Sequence, residues 1–192
     1  DPYGFCNRAR NPSPSLLNWF PQYVTGSFTG QGQAAWSLAG NSQYVVVGGE
    51  FPYVNGVAQY GLTRFAVHSI APNLVGPNVN TALVPNAASY NRGEVRVSWT
   101  ATYDQDNTNL TYKVVRDGAT ATPVYQTTMQ STFWQRTPMG FIDKDRPPGI
   151  SHSERGYVTD PDGNSISRLG NTVTVASTDS GGAYSDAVTA DA

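Results

Sequence analysis

The stretch that most constrains this chain covers residues 44–65 and has the pattern of two strands joined through a tight turn. Residues 44–47 are apolar and mostly β-branched, which favours a buried strand, and Gly48-Gly49 is expected to break it. Asn55-Gly56 is a strong hairpin signal because a type I′ turn needs a positive φ at both central residues. Residues 62–65 combine apolar and polar side chains, which predicts a half-buried return strand.

This stretch, YVVVGGEFPYVNGVAQYGLTRF, resembles a repeat of secreted bacterial β-propeller-like proteins in which each copy forms most of one blade. The resemblance implies that residues 1–70 form one propeller-blade-like antiparallel sheet. A propeller needs about 4–8 blades, and one repeat cannot bury its own apolar face. Because residues 44–47 are apolar on both faces, we expect an incomplete unit that needs other domains of a parent chain or copies of itself.

Charge and composition narrow the classes of partner and location. The chain has 12 Lys+Arg against 14 Asp+Glu and a net charge of −2, so nothing favours nucleic acid or an anionic membrane. No apolar run approaches the ~18 residues of a membrane span. The 19 Gly and 13 Pro indicate a turn-rich β protein of extracellular type.

The beginning of the chain and its single cysteine suggest a part of something larger. The sequence starts at Asp1 without a leader, which predicts a mature product or a piece of a longer secreted protein. Cys6 is the only cysteine. It either pairs with a cysteine outside this sequence or remains a free thiol.

A second β pattern follows a break in composition. Residues 71–80 are rich in Pro, Gly and Asn without periodicity, which predicts a linker. Beyond it, Val95, Val97, Trp99, Ala101 and Tyr103 alternate with polar residues and predict one face of a strand. Short strand patterns continue to residue 177, with residues 131–135 among them, and about seven strands over such a length fit a β-sandwich.

The segment 81–177 also resembles the fibronectin type III domains of secreted bacterial proteins, through VRVSWTA, DQDNTNLTYKVVRDG, PPG and VTDPDGN. The resemblance implies core positions for Trp99 and Tyr112. Glu154 departs from it, since a charged residue is unexpected in a core strand. Residues 178–192 are expected to be a truncated linker. The predicted fold class is therefore all-β: one propeller-blade-like antiparallel sheet and a seven-stranded fibronectin type III or immunoglobulin-like β-sandwich.

Four aspartates suggest a structural calcium site. Asp104 and Asp106 follow one predicted sandwich strand, and Asp160 and Asp162 follow another; in this topology the two loops share one end of the sandwich. Calcium takes six to eight oxygen ligands. The competing interpretation is turn chemistry, in which Asp and Asn side chains bond the local backbone.

Residues 16–20 predict a short apolar strand that ends at Pro21. Aromatic residues are dense in the first sixty positions. They either form the core of a small sheet or present a surface for carbohydrate or a partner. The candidates for such a surface are Trp19, Trp36, Tyr53 and Tyr60.

Catalysis is not expected. The two histidines, His68 and His152, lie in no metal or catalytic motif, and no nucleophile elbow or phosphate-binding loop is present. Glu50, Glu94 and Glu154 do not suggest a carboxylate pair across a cleft.

These observations predict a non-catalytic structural or adhesive segment of a large secreted or cell-surface bacterial protein. Two alternatives stay open: a carbohydrate-binding accessory module of an extracellular enzyme that acts on polysaccharide, and a self-associating filament subunit whose open sheet edges add strands from a neighbour. The expected partners are other domains of a parent chain, copies of this chain or a polysaccharide. No cofactor is expected apart from the structural calcium.

Overall fold

A computed structural model describes residues 16–80 and 83–180, and these form antiparallel β-sheets with no α-helix. Cys6 and most of the predicted C-terminal linker lie outside the described residues. None of the described residues belongs to a helix long and apolar enough to cross a membrane. The strands fall into two groups, which we call the N-terminal region (residues 16–66) and the C-terminal region (residues 83–177).

The N-terminal region holds two small sheets. One has the order β1-β4-β5 and the other the order β2-β3-β6, and all pairs are antiparallel. The strands are β1 (Tyr23–Val24), β2 (Ala35–Gly40), β3 (Tyr44–Gly49), β4 (Tyr53–Val54), β5 (Val57–Ala58) and β6 (Leu62–Ala66).

The predicted Asn-Gly hairpin is confirmed. Asn55 has φ 49° and Gly56 has φ 76°, as a type I′ turn requires. The turn joins β4 to β5, whereas the return strand β6 pairs with β3 in the other sheet. The stretch 44–65 therefore contributes strands to both sheets.

The prediction that Gly48-Gly49 breaks the strand is wrong, because β3 continues through both glycines. A Cβ on Gly49 would lie 1.9 Å from the carbonyl oxygen of Ala34, so glycine is needed for the close approach of the neighbouring chain segment. The strand is also less buried than expected. Val47 is buried, while the three residues before it are half-buried.

The C-terminal region contains a four-stranded sheet of order β10-β9-β12-β13 and a three-stranded sheet of order β11-β8-β7. Every pair is antiparallel. The strands are β7 (Asn86–Ala88), β8 (Val95–Thr100), β9 (Asn109–Arg116), β10 (Tyr125–Gln130), β11 (Pro138–Asp143), β12 (Ser151–Thr159) and β13 (Ser165–Thr174).

One core joins the two sheets of the C-terminal region. The alternation predicted for β8 is confirmed, since Val95, Val97 and Trp99 are buried and the residues between them are not. Trp99 and Tyr112 lie in this core as the sequence predicted. The buried cluster consists of Leu83, Ala87, Val95, Val97, Trp99, Ala101, Leu110, Tyr112, Val114, Met139, Val158 and Val175.

Glu154 lies inside this region with no exposed surface. It occupies an irregularity in the pairing of β12 with β13, between Ser153 and Arg155. Neither carboxylate oxygen has a hydrogen-bond partner among the described residues. Burial, and then the nearby Asp143 carboxylate, raise the pKa of Glu154 to about 7, because removing a carboxylate from water disfavours its charged form.

Two predicted strands are absent from the described residues. Residues 16–20 form no strand, and residues 131–135 form a turn between β10 and β11. Both segments are rich in aromatic residues, which favour strands by composition alone. In each case the aromatic side chains contact other parts of the molecule.

Candidate functional site

An open cleft of about 610 Å³ lies where the N-terminal region meets two loops of the C-terminal region. Residues of both regions and of the predicted linker line it. Its lining combines aromatic and polar side chains, a combination typical of ligand sites. Among the lining residues are Trp19, Arg64, His68, Asp106, Asn107 and Asp162.

Residues 18–20 hold the two regions together beside the cleft. The side-chain amide of Asn18 donates to the carbonyl oxygen of Asp104 at 3.1 Å, and the backbone N–H of Phe20 donates to that of Gln105 at 3.0 Å. The Trp19 ring packs edge-on against Phe65 of β6, with 5.1 Å between ring centroids. Trp19 is thereby fixed against the N-terminal region while 41% of its surface remains exposed.

The two aspartate loops come together at this cleft, as the sequence predicted. The Asn73 side-chain amide donates to Asp106 Oδ2 at 2.8 Å and to Asp162 Oδ2 at 3.2 Å. Its own Oδ1 accepts the N–H of Val75 at 2.9 Å, which sets the orientation of the amide. The Asn107 side chain also donates to Asp162 Oδ2, at 3.2 Å. A residue of the predicted linker therefore bridges the loops.

The other two aspartates face inward. Asp160 accepts the backbone N–H of Asn164 at 2.8 Å and its side-chain amide at 2.7 Å, which is turn chemistry within one loop. Asp104 has no exposed surface, and its Oδ2 has no partner among the described residues. Burial, and then the neighbouring Asp106 carboxylate, raise the pKa of Asp104 to about 7.

No group of three or more His, Cys, Asp or Glu side chains converges on a metal position within residues 16–80 and 83–180. The carboxylates of Asp106 and Asp162 instead accept hydrogen bonds from amide groups. Amide donors satisfy such oxygens without a cation. Calcium at the four aspartates stays a prediction, with the hydrogen-bonded loops as its competitor.

The four candidate aromatic residues do not all line the cleft. Trp19 lines the cleft, whereas Trp36, Tyr53 and Tyr60 are absent from its lining. These three side chains are exposed by 52%, 44% and 83%. They are therefore not the core of a small sheet, and only Trp19 lies beside the polar residues of the two loops.

Sequence reasoning missed the contributions of Arg64, His68 and Asn73. Arg64 was expected only as a residue of the return strand, and the other two fall in or near the predicted linker. His68 Nδ1 lies 3.6 Å from Asp162 Oδ1, and the guanidinium of Arg64 lies 4.9 Å from the centre of the Tyr44 ring. No local pattern marks these residues, because each reaches the cleft through contacts distant in sequence.

Comparison of the chain with protein-family models, with curated proteins and with solved structures gives no match.

Proposed function

We propose that this chain is a non-catalytic segment of a large secreted or cell-surface bacterial protein and that its cleft binds carbohydrate. The observation that carries the proposal is the partly exposed Trp19 ring in the same cleft as the amide-carboxylate cluster of Asp106, Asn107 and Asp162. The apolar C–H face of a sugar ring stacks on an aromatic ring, while its hydroxyl groups exchange hydrogen bonds with carboxylates and amides.

The charge of the cleft favours a neutral or basic sugar. Asp106 and Asp162 are held within hydrogen-bond reach of one amide nitrogen, so an anionic ligand would meet two carboxylates together. The guanidinium of Arg64, which also lines the cleft, offsets part of this charge. The proposal is thus a binding module, with any chemistry on the polymer carried by another domain.

The proposal includes the finer fold assignment. A fibronectin type III-like sandwich is supported by the orders β10-β9-β12-β13 and β11-β8-β7, and by a buried Trp on β8 with a buried Tyr on β9. A propeller-blade-like unit is supported by the Asn-Gly turn and the β2-β3-β6 sheet.

A second candidate function, self-association, is favoured by the edges of that sheet. Strands β2 and β6 are its outer strands, and every residue of β2 is exposed. Unpaired backbone groups on such strands accept a strand from another chain. Sedimentation of the full chain over a range of concentrations tests this function separately.

Binding to insoluble cellulose, chitin, xylan and starch, followed by calorimetry with soluble fragments of the polymer retained, tests the main proposal. We expect Trp19→Ala to weaken binding by about tenfold, since an aromatic stacking contact contributes roughly 0.5–1.5 kcal/mol. Trp36→Ala is the matched control, because Trp36 is similarly exposed but outside the cleft. An equal loss of affinity in both variants, or no retention of the full chain on any polymer, would overturn the proposal.

A further inference from the structure

The turn between β10 and β11 presents two large aromatic side chains at its tip. The N–H of Thr132 donates to the Gln135 carbonyl at 3.0 Å, and the N–H of Gln135 donates to the Thr132 carbonyl at 3.3 Å. The N–H of Ser131 donates to the carbonyl oxygen of Thr108, the residue directly before β9, at 2.9 Å. These bonds close a tight loop with Phe133 and Trp134 between its ends.

Phe133 and Trp134 are unusual residues for such a tip. Turns favour Gly, Pro, Asn, Asp and Ser, which supply the required backbone angles or local hydrogen bonds. Here the side chains are 50% and 49% exposed, with ring centroids 4.6 Å apart and planes at 87°. An exposed aromatic pair on a rigid loop is a departure from local sequence rules of the kind expected at functional sites.

These rings are continuous with the cleft. Phe133 packs against Phe20 at 4.9 Å and against Tyr103 at 6.3 Å, and Phe20 lines the cleft next to Trp19. Phe20, Phe133 and Trp134 therefore form a line of rings, which we call the aromatic ridge. It leads from the cleft wall to the surface of the C-terminal region.

We propose that the aromatic ridge extends the binding face of the cleft, so that the ligand is an extended neutral polysaccharide chain with a further sugar unit that stacks on Trp134. This inference rests on the proposed function. The ridge consists of uncharged rings in edge-to-face contact, and these contacts hold the half-exposed Trp134 ring as a stacking surface outside the cleft, with little loss of side-chain freedom on binding. The paired carboxylates of Asp106 and Asp162, in the cleft that Phe20 also lines, disfavour polyanions such as nucleic acids.

The test measures the dependence of affinity on ligand length. Disaccharides and longer oligosaccharides of the cello-, chito-, xylo- and malto- series are titrated calorimetrically into the full chain, into Trp134→Ala and into Trp36→Ala. We expect the full chain and the Trp36→Ala control to bind the longer members about tenfold more tightly than the disaccharides. Trp134→Ala should bind the disaccharides normally and lose this gain, and its thermal melt checks that it folds.

Two outcomes would overturn the inference and leave the proposed function standing: affinity independent of ligand length, or the same length dependence in Trp134→Ala. Absence of binding to every oligosaccharide would overturn both. A change in sedimentation of Trp134→Ala from dimer to monomer, without an effect on oligosaccharide binding, would assign the ridge to a second copy of this chain and would also overturn the inference.

Discussion

The two regions of this protein are both β-sheet structures, but they differ in how much apolar surface they bury. The N-terminal region has a cluster of three buried hydrophobic residues, Val47, Phe51 and Val54. The C-terminal region has a core that joins both of its sheets and includes a tryptophan and a tyrosine. Since burial of apolar surface is the main favourable contribution to folding, the two regions should have very different stability on their own.

The exposed surfaces show the same difference. In the N-terminal region Phe28, Leu38 and Leu62 are exposed by 97%, 73% and 62%. In the C-terminal region two carboxyl groups, Asp104 and Glu154, are fully buried. We therefore expect the C-terminal region to fold by itself and the N-terminal region to depend on contacts such as those of Asn18 and Phe20.

The largest effect is expected on separating the regions. Residues 1–70 alone should be unfolded or aggregated, because their small buried cluster cannot offset the conformational entropy of ordering the chain. Residues 78–177 alone should unfold cooperatively as a monomer. Circular dichroism melts and sedimentation measure both. A sharp, cooperative melt of monomeric residues 1–70 would contradict the comparison.

The second-largest effect is expected from removing one tryptophan side chain, and its size should differ between the two regions. Trp99→Ala is expected to lower the free energy of unfolding by about 3–5 kcal/mol, as large aromatic truncations in cores do. Trp36→Ala on the exposed strand β2 should change it by less than about 0.5 kcal/mol. Chemical denaturation of the full chain measures both. Similar losses in the two variants would mean that the cores do not differ as described.

The buried carboxyl groups should make the C-terminal region less stable as pH rises. The pKa of Glu154 is raised from its ordinary value of 4.5 to about 7, and that of Asp104 from 3.8 to about 7. The folded protein therefore holds protons that the unfolded chain has released, so stability is highest below about pH 4 for these groups and falls until about pH 7. We expect a loss of about 1–3 kcal/mol per group, the cost of an unpaired buried polar group.

Glu154→Gln and Asp104→Asn test this pH dependence, because each removes one ionisation while nearly keeping the shape of the side chain. In each variant, the free energy of unfolding should decrease less between about pH 4 and pH 7 than it does in the unchanged sequence. Denaturation of residues 78–177 over this range measures it. An unchanged pH profile in both variants would show that neither group retains its proton on folding.

The smallest effect is expected from calcium. Because amides already satisfy Asp106 and Asp162, and Asn164 satisfies Asp160, we expect calcium or EDTA to shift the melting temperature by less than about 1 °C. A bound ion at 100 times its dissociation constant would instead stabilise the protein by about 2.7 kcal/mol. A clear rise of the melting temperature with calcium and a clear fall with EDTA would establish the predicted metal site.

Local patterns in the sequence determined the β class, the face of β8 and the turns. Side-chain alternation identified Val95, Val97 and Trp99 because successive residues of a strand point to opposite faces. Asn55-Gly56 marked its turn because positive φ is costly for most other residues. Such features depend on neighbours along the chain, so the sequence alone was sufficient for them.

The cleft, the aromatic ridge and the burial of Glu154 were decided only by the tertiary structure. Asn73 meets Asp162 across 89 positions of the sequence, and Phe20 meets Phe133 across the boundary between the regions. Composition predicted a strand at residues 131–135, but contacts with distant rings and a closed turn set its conformation. The physical reason is that packing and hydrogen bonding between remote segments outweigh local propensity, which contributes only about 1 kcal/mol per residue in a strand.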